Sequence, residues 1–132
     1  MDWSEIESPS LDDIRTLARQ TFAGLPPKFR ALAGEIVFMV QEFPDEDVVE
    51  EMNLESEFDI LGLFQGPDLA ARSGSGQMGG PTMVFLYRRA LLDYWAENEE
   101  TLGEIVRHVL IHEIGHHFGL SDEAMEAIEE DE

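Results

Sequence analysis

The sequence predicts an α+β fold, a small twisted mixed sheet packed on helices. Three observations carry this expectation. Three short β-rich stretches alternate with segments of helical periodicity, and three strands are too few for a doubly wound sheet. The last third reads almost wholly as helix. Its longest helix has a sharp start, where Thr101 and Glu104 form a T-x-x-E capping box ahead of an apolar run. A chain of 132 residues suits one domain, 1–132, with one modest core.

Taken in order, Ser10 and Asp13 resemble an N-cap with an acidic first turn, and Leu11, Ile14, Ala18, Phe22 and Leu25 recur at helical spacing. A helix is expected over Leu11–Ala23, stopped by Gly24 and Pro26-Pro27, with a short turn over Lys28–Ala33. Glu35–Phe43 is β-rich and stops at Pro44; Asp45–Asn53 reads as a short acidic helix. Asp59–Phe64 is the second strand candidate. Ser73–Pro81, rich in Gly and Ser, reads as a surface loop or a lip beside a site. Thr82–Tyr87 is the third strand and Arg88–Asn98 a helix. The capped helix should run from Leu102 to about Phe118, with Gly119 as its C-terminal stop. Asp122–Glu129 can form a last amphipathic helix.

Charge narrows the function classes. There are 29 acidic residues against 8 basic ones, a formal net charge of −21. Such a surface repels a phosphate backbone and an anionic membrane, so neither nucleic acid nor membrane is an expected partner. It suits a cationic partner, or simply a soluble acidic surface. Cysteine is absent, which excludes a disulfide framework and a Cys-based zinc site. The segment Met1–Glu5 has no basic region of a secretory leader, and no run approaches the roughly 18 apolar residues of a spanning helix. A cytoplasmic location is the default expectation.

The chemistry concentrates in V-L-I-H-E-I-G-H-H-F-G-L-S-D, residues 109–122. His112, Glu113 and His116 make H-E-x-x-H. Residues i and i+4 of a helix lie on one face, so the two imidazoles can share one zinc ion, with Glu113 placed to take a proton from its water ligand. The helix is apolar around most of its circumference, and buried histidines and a buried carboxylate are costly without a partner or a task. Gly115 costs roughly 1 kcal/mol relative to alanine inside a helix, so a close approach of another segment is expected there. Gly119 permits a sharp left-handed turn that can bring Asp122 back as a third ligand. Asp122 or Ser121 also suits the N-cap of the last helix. Two histidines and one carboxylate suit zinc; they also suit non-haem iron, which would leave Glu113 without an obvious task.

With these residues in place, the run from Met83 to Asp122, M-V-F-L-Y-R-R-A-L-L-D-Y-W followed by the H-E-x-x-H-x-x-G-x-x-D segment, resembles the small bacterial zincin-like metallopeptidase family. The resemblance implies a minimal zincin-like domain with an active-site helix, one Zn2+ held by His112, His116 and Asp122, Glu113 as general base, and a peptide or protein substrate. Zincin-like enzymes commonly bind extended substrate along an edge strand, for which Met83–Tyr87 is the candidate.

Several side chains have two readings. Tyr87 or Tyr94 can stabilise an oxyanion or serve packing. His108, one turn before His112, suits a supporting role or the surface. His117 points away from the pair, and Met125 belongs in the core or beneath the metal. Two other functions stay open: a non-catalytic zinc-binding module that docks a cationic partner, and a metal-dependent hydrolase of another kind. Zincin-like ribosomal-RNA endoribonucleases share a similar ligand spacing but lack the glutamate and need a basic face.

Overall fold

The computed structural model describes residues 2–66 and 82–130, and the Ser73–Pro81 stretch lies outside them. After a 3-10 turn at Trp3–Glu5 come α1 (Leu11–Ala23), α2 (Pro27–Ala33), β1 (Ile36–Gln41), α3 (Glu46–Glu51) and β2 (Gly62–Gln65). Then follow β3 (Thr82–Tyr87), α4 (Arg88–Glu97), α5 (Leu102–His117) and α6 (Asp122–Glu130). The expected α+β architecture is what the chain adopts, with a small mixed sheet and six helices among the described residues. No helix among the described residues is long and apolar enough to cross a membrane.

The sheet has the order β1-β3-β2, with β1 parallel and β2 antiparallel to β3. Thr82–Tyr87 is therefore the central strand, which corrects its expected role as the edge. Its backbone groups already pair on both sides, and the edge next to α5 is β2. β1 ends near Gln41 because its partner in register, Tyr87, is the last residue before α4; beyond it the Glu42 carbonyl accepts from the Arg89 N–H of α4 at 3.2 Å. The second strand starts later than its composition suggests. Asp59 accepts from the Glu55 and Ser56 N–H groups at 3.2 and 3.0 Å, which ties the chain into a turn there.

One face of the sheet carries Phe38, Val84, Leu86 and Phe64 into the core. There α1 packs beside β1 and α5 beside β2, and the two helices touch each other. Ile14 and Ala18 of α1 meet a fully buried stripe of α5 that includes Val106, Leu110 and Ile114. Gly62 permits the close approach of β2: a Cβ there would stand 2.8 Å from Val109 Cγ1 and 2.9 Å from the Phe85 carbonyl oxygen. Arg88 locks the N-terminal segment to the sheet. It donates to the Pro9 carbonyl at 2.6 Å, to Ser8 Oγ at 2.8 Å and to Glu42 Oε1 at 3.0 Å.

Both ends of α5 are closed. At its start Thr101 Oγ1 accepts from the Glu104 N–H and Glu104 Oε1 accepts from the Thr101 N–H, each at 3.0 Å. At its end Gly119 takes φ +74°, its N–H donates to the His116 carbonyl, and the Leu120 N–H donates to the Gly115 carbonyl at 2.9 Å. This pair of bonds is a Schellman turn, and it sends α6 back along α5. Fully buried Met125 of α6 then seats against Gly115, where a Cβ would stand 2.6 Å from its Sδ and 2.9 Å from its Cγ. The close approach that Gly115 required is this side chain.

Two outcomes are expected. Gly115→Ala gains helix propensity but must displace a buried side chain; overpacking of this kind costs about 1–3 kcal/mol, against a gain of roughly 1 kcal/mol. Urea unfolding should show a net loss, and Gly115→Ala should cost less in a Met125→Ala background than in the parent, because neighbouring substitutions do not add. Thr101→Ala should cost about 1 kcal/mol in the same assay. The Thr101 backbone N–H, and then its hydroxyl, hold the Glu104 carboxyl below its ordinary value. Between the lowered native value and the ordinary one, the unfolded chain binds more protons. The Glu104 contribution is thus present above the ordinary carboxylate range and is lost as pH falls through the native value. Glu104→Gln should flatten stability against pH in that window.

Candidate metal centre

His108, His112 and His116 recur at four-residue spacing and form a column along one side of α5. The His108 and His112 rings stack at 4.0 Å between centroids, while His112 and His116 meet edge to face at 5.8 Å. His112 is half-buried and His116 is exposed. The Nε2 of His112 is buried and has no hydrogen-bond partner. Leaving such an atom unsatisfied costs about 1–3 kcal/mol, which a metal bond would remove. Imidazole nitrogens next to carboxylates are also the donor set that zinc prefers. The residues present therefore fit a zinc ion.

Glu113 lies on the other side of His112, toward β2. Burial pushes its carboxyl up, while the neighbouring His116 and the Phe64 backbone N–H pull it back. The close packing of Gly62 on Val109 is what brings the Phe64 N–H to Glu113. Tyr87 is also near: burial first, then the charges of Asp45 and Glu113, raise its phenol to about 12. It stays protonated across the neutral range and keeps a proton to donate. Tyr94 is spent elsewhere, its hydroxyl donating to Glu100 Oε2 at 3.3 Å. The His117 ring lies tilted against Phe64 at 4.1 Å between centroids, on the β2 side of the helix.

Asp122 is exposed and is the first residue of α6. The capping role falls to its neighbour, since Ser121 Oγ accepts from the Ala124 N–H at 3.1 Å, which leaves the Asp122 carboxylate without that task. Among the described residues, the three donors gathered within 4.8 Å of one another are those of His108, His112 and Glu129. His112 is thus brought into a group, while His116 and Asp122 stand outside it. Glu129 Oε1 lies 3.4 Å from His112 Nε2 and is hydrogen-bonded to His108 Nδ1.

Glu129 ends the amphipathic helix expected over Asp122–Glu129, and nothing local in the sequence singles it out. The signal that finds it is tertiary. Once Met125 is set against Gly115, a residue one turn further along α6 must face one turn further back along α5, at His112 and His108. Arg107 fixes the same register by donating to the Ile128 and Glu129 carbonyls at 2.8 and 2.7 Å.

Comparison with known proteins agrees with this chemistry. No curated protein matches the chain. The model of one family, described as zincin-like metallopeptidase, matches residues 33–131, from the end of α2 through α6. That family implies zinc binding and suggests a metallopeptidase. A match over so much of the sequence, with its H-E-x-x-H helix inside it, means that the chain belongs to the zincin-like metallopeptidase family.

Proposed function

We propose that the protein is a zinc-dependent peptidase that uses Glu113 as its general base and holds one ion with His112, His116 and Asp122. The observation that carries the reading is the His112 Nε2, buried and without a hydrogen-bond partner on the helix that also presents Glu113. The family match supports the same chemistry. When bound, zinc supplies Lewis-acid polarisation of a carbonyl and acidifies a water ligand. Glu113 supplies the proton transfers. Its raised carboxyl makes it a stronger base than an exposed glutamate, and its acid form can then protonate the leaving amine. The Phe64 N–H fixes the orientation of that carboxylate, and the neutral Tyr87 phenol is a nearby donor.

An extended peptide is the substrate this arrangement suits. Among the described residues β2 pairs only with β3, and its other edge, where the Phe64 N–H meets Glu113, is the one we assign to an extended substrate. A net charge of −21 favours cationic peptides over acidic ones.

A second reading, a metal-binding module without catalysis, is favoured by one specific observation: the three gathered donors are His108, His112 and Glu129.

Digestion of a peptide library by zinc-loaded parent and Glu113→Gln proteins separates the two. The peptidase reading expects the substitution to reduce cleavage by about 10²–10⁴-fold while the ion is retained. Equal cleavage by both proteins would rule out Glu113 as the base. A fully loaded parent with no turnover would favour the binding module.

A further inference from the structure

We infer that His108, His112 and Glu129 form a second position for a divalent transition-metal ion, on the side of His112 away from Glu113. Each residue offers one donor atom, and the three lie within 4.8 Å of one another; His108 Nδ1 and His112 Nε2 both approach Glu129 Oε1. A zinc ion about 2.0–2.1 Å from each of two tetrahedral ligands holds those ligands about 3.3 Å apart. His112 Nε2 and Glu129 Oε1 already stand 3.4 Å apart. His108 Nδ1 and Glu129 Oε1 are in direct contact, and an ion inserts between them as the two side chains part. Both can move: the side chains of His108 and Glu129 are 56% and 25% exposed.

Three features mark this as more than three polar side chains at a surface. His112 Nε2 has no hydrogen-bond partner, so no existing bond must be broken to bind there. Arg107 donates to the Ile128 and Glu129 carbonyls and holds the end of α6 in place. His108 and Glu129 also line a cavity of about 250 Å³ shared with Glu100, Glu104 and Arg107, so two of the three donors are reached from a cleft with three carboxylates and one guanidinium.

The consequence is competition. His112 Nε2 can bind one ion at a time, and the peptidase reading needs that same nitrogen for the His112–His116 pair. Glu113 is not among the gathered donors, and its carboxylate meets the Phe64 N–H of β2. Occupation of the Glu129 side withdraws His112 from the hydrolytic centre. The competition rests on the peptidase reading, but the site itself does not.

The test uses the full chain, stripped of metal and titrated with Zn2+ by calorimetry, with the visible spectrum of Co2+ as an independent signature. His116→Ala removes one of the H-E-x-x-H ligands and leaves the proposed donors intact. It should still bind one equivalent of Zn2+, and addition of Glu129→Gln should abolish that binding. Both positions lie outside the buried core, and circular dichroism checks that each variant keeps its helices. If folded His116→Ala binds no ion, or if adding Glu129→Gln leaves its binding unchanged, the proposal is wrong. Glu129→Gln alone separates the two readings. Loss of all binding in that variant would leave the Glu129 site as the protein's metal site and remove the peptidase assignment. Retained binding there, with none in His116→Ala, would leave the peptidase centre and remove this one.

Discussion

The contact on which the site depends is the seating of Met125 against Gly115. It joins two helices at a point where neither side chain could be larger without forcing them apart. Because α6 folds back along α5, this one contact sets the facing of every later residue. Glu129 arrives at the histidine column and the Ile128 and Glu129 carbonyls arrive at Arg107. The Schellman turn at Gly119 provides the direction of return, and the buried sulfur provides the register. A metal-ligating carboxylate on α6 is therefore positioned by packing, not by the loop that precedes it.

A second close approach does the same work on the opposite side of the helix. Gly62 lets β2 lie against Val109, and Phe64 then offers its N–H to Glu113. His112 thus sits between two carboxylates held by different means, Glu113 on its own helix and Glu129 on the next. The first has its proton affinity raised by burial; the second touches an imidazole. The two environments suit proton transfer on one side and cation binding on the other.

Much of this was legible in the residues. The boundaries of α1, β3 and the start of α5 follow from local chemistry: the capping boxes at Ser10 and Thr101 and the β-rich run before Arg88. The left-handed Gly119 and the tight packing at Gly115 were also readable, because glycine in those places is otherwise unfavourable. What a linear reading lacked was pairing. Nothing local says that β1 will join β3 from the far side, so Thr82–Tyr87 looked like an edge when it is the centre. Nor does Glu129 differ in sequence from its acidic neighbours; it is distinguished only by the helix it faces. The placement of His116 and Asp122 outside the gathered donors has the same origin, since spacing along a helix defines a face but not what approaches it.

The parallel pairing of β1 with β3 has a consequence for how the molecule assembles. Ile36 meets Thr82 across a long intervening stretch, so the sheet forms only after a large loop has closed. The α5–α6 pair is local by comparison: its turn spans a few residues, and its cap, stop and Met125 contact all lie within one contiguous segment. Topologies dominated by distant pairings fold slowly, whereas helical hairpins form early. His108, His112 and Glu129 all lie on the early-forming part, while Glu113 receives its Phe64 contact only once β2 is in place. On refolding of the whole chain, local closure thus brings His108, His112 and Glu129 together before the Phe64 N–H reaches Glu113.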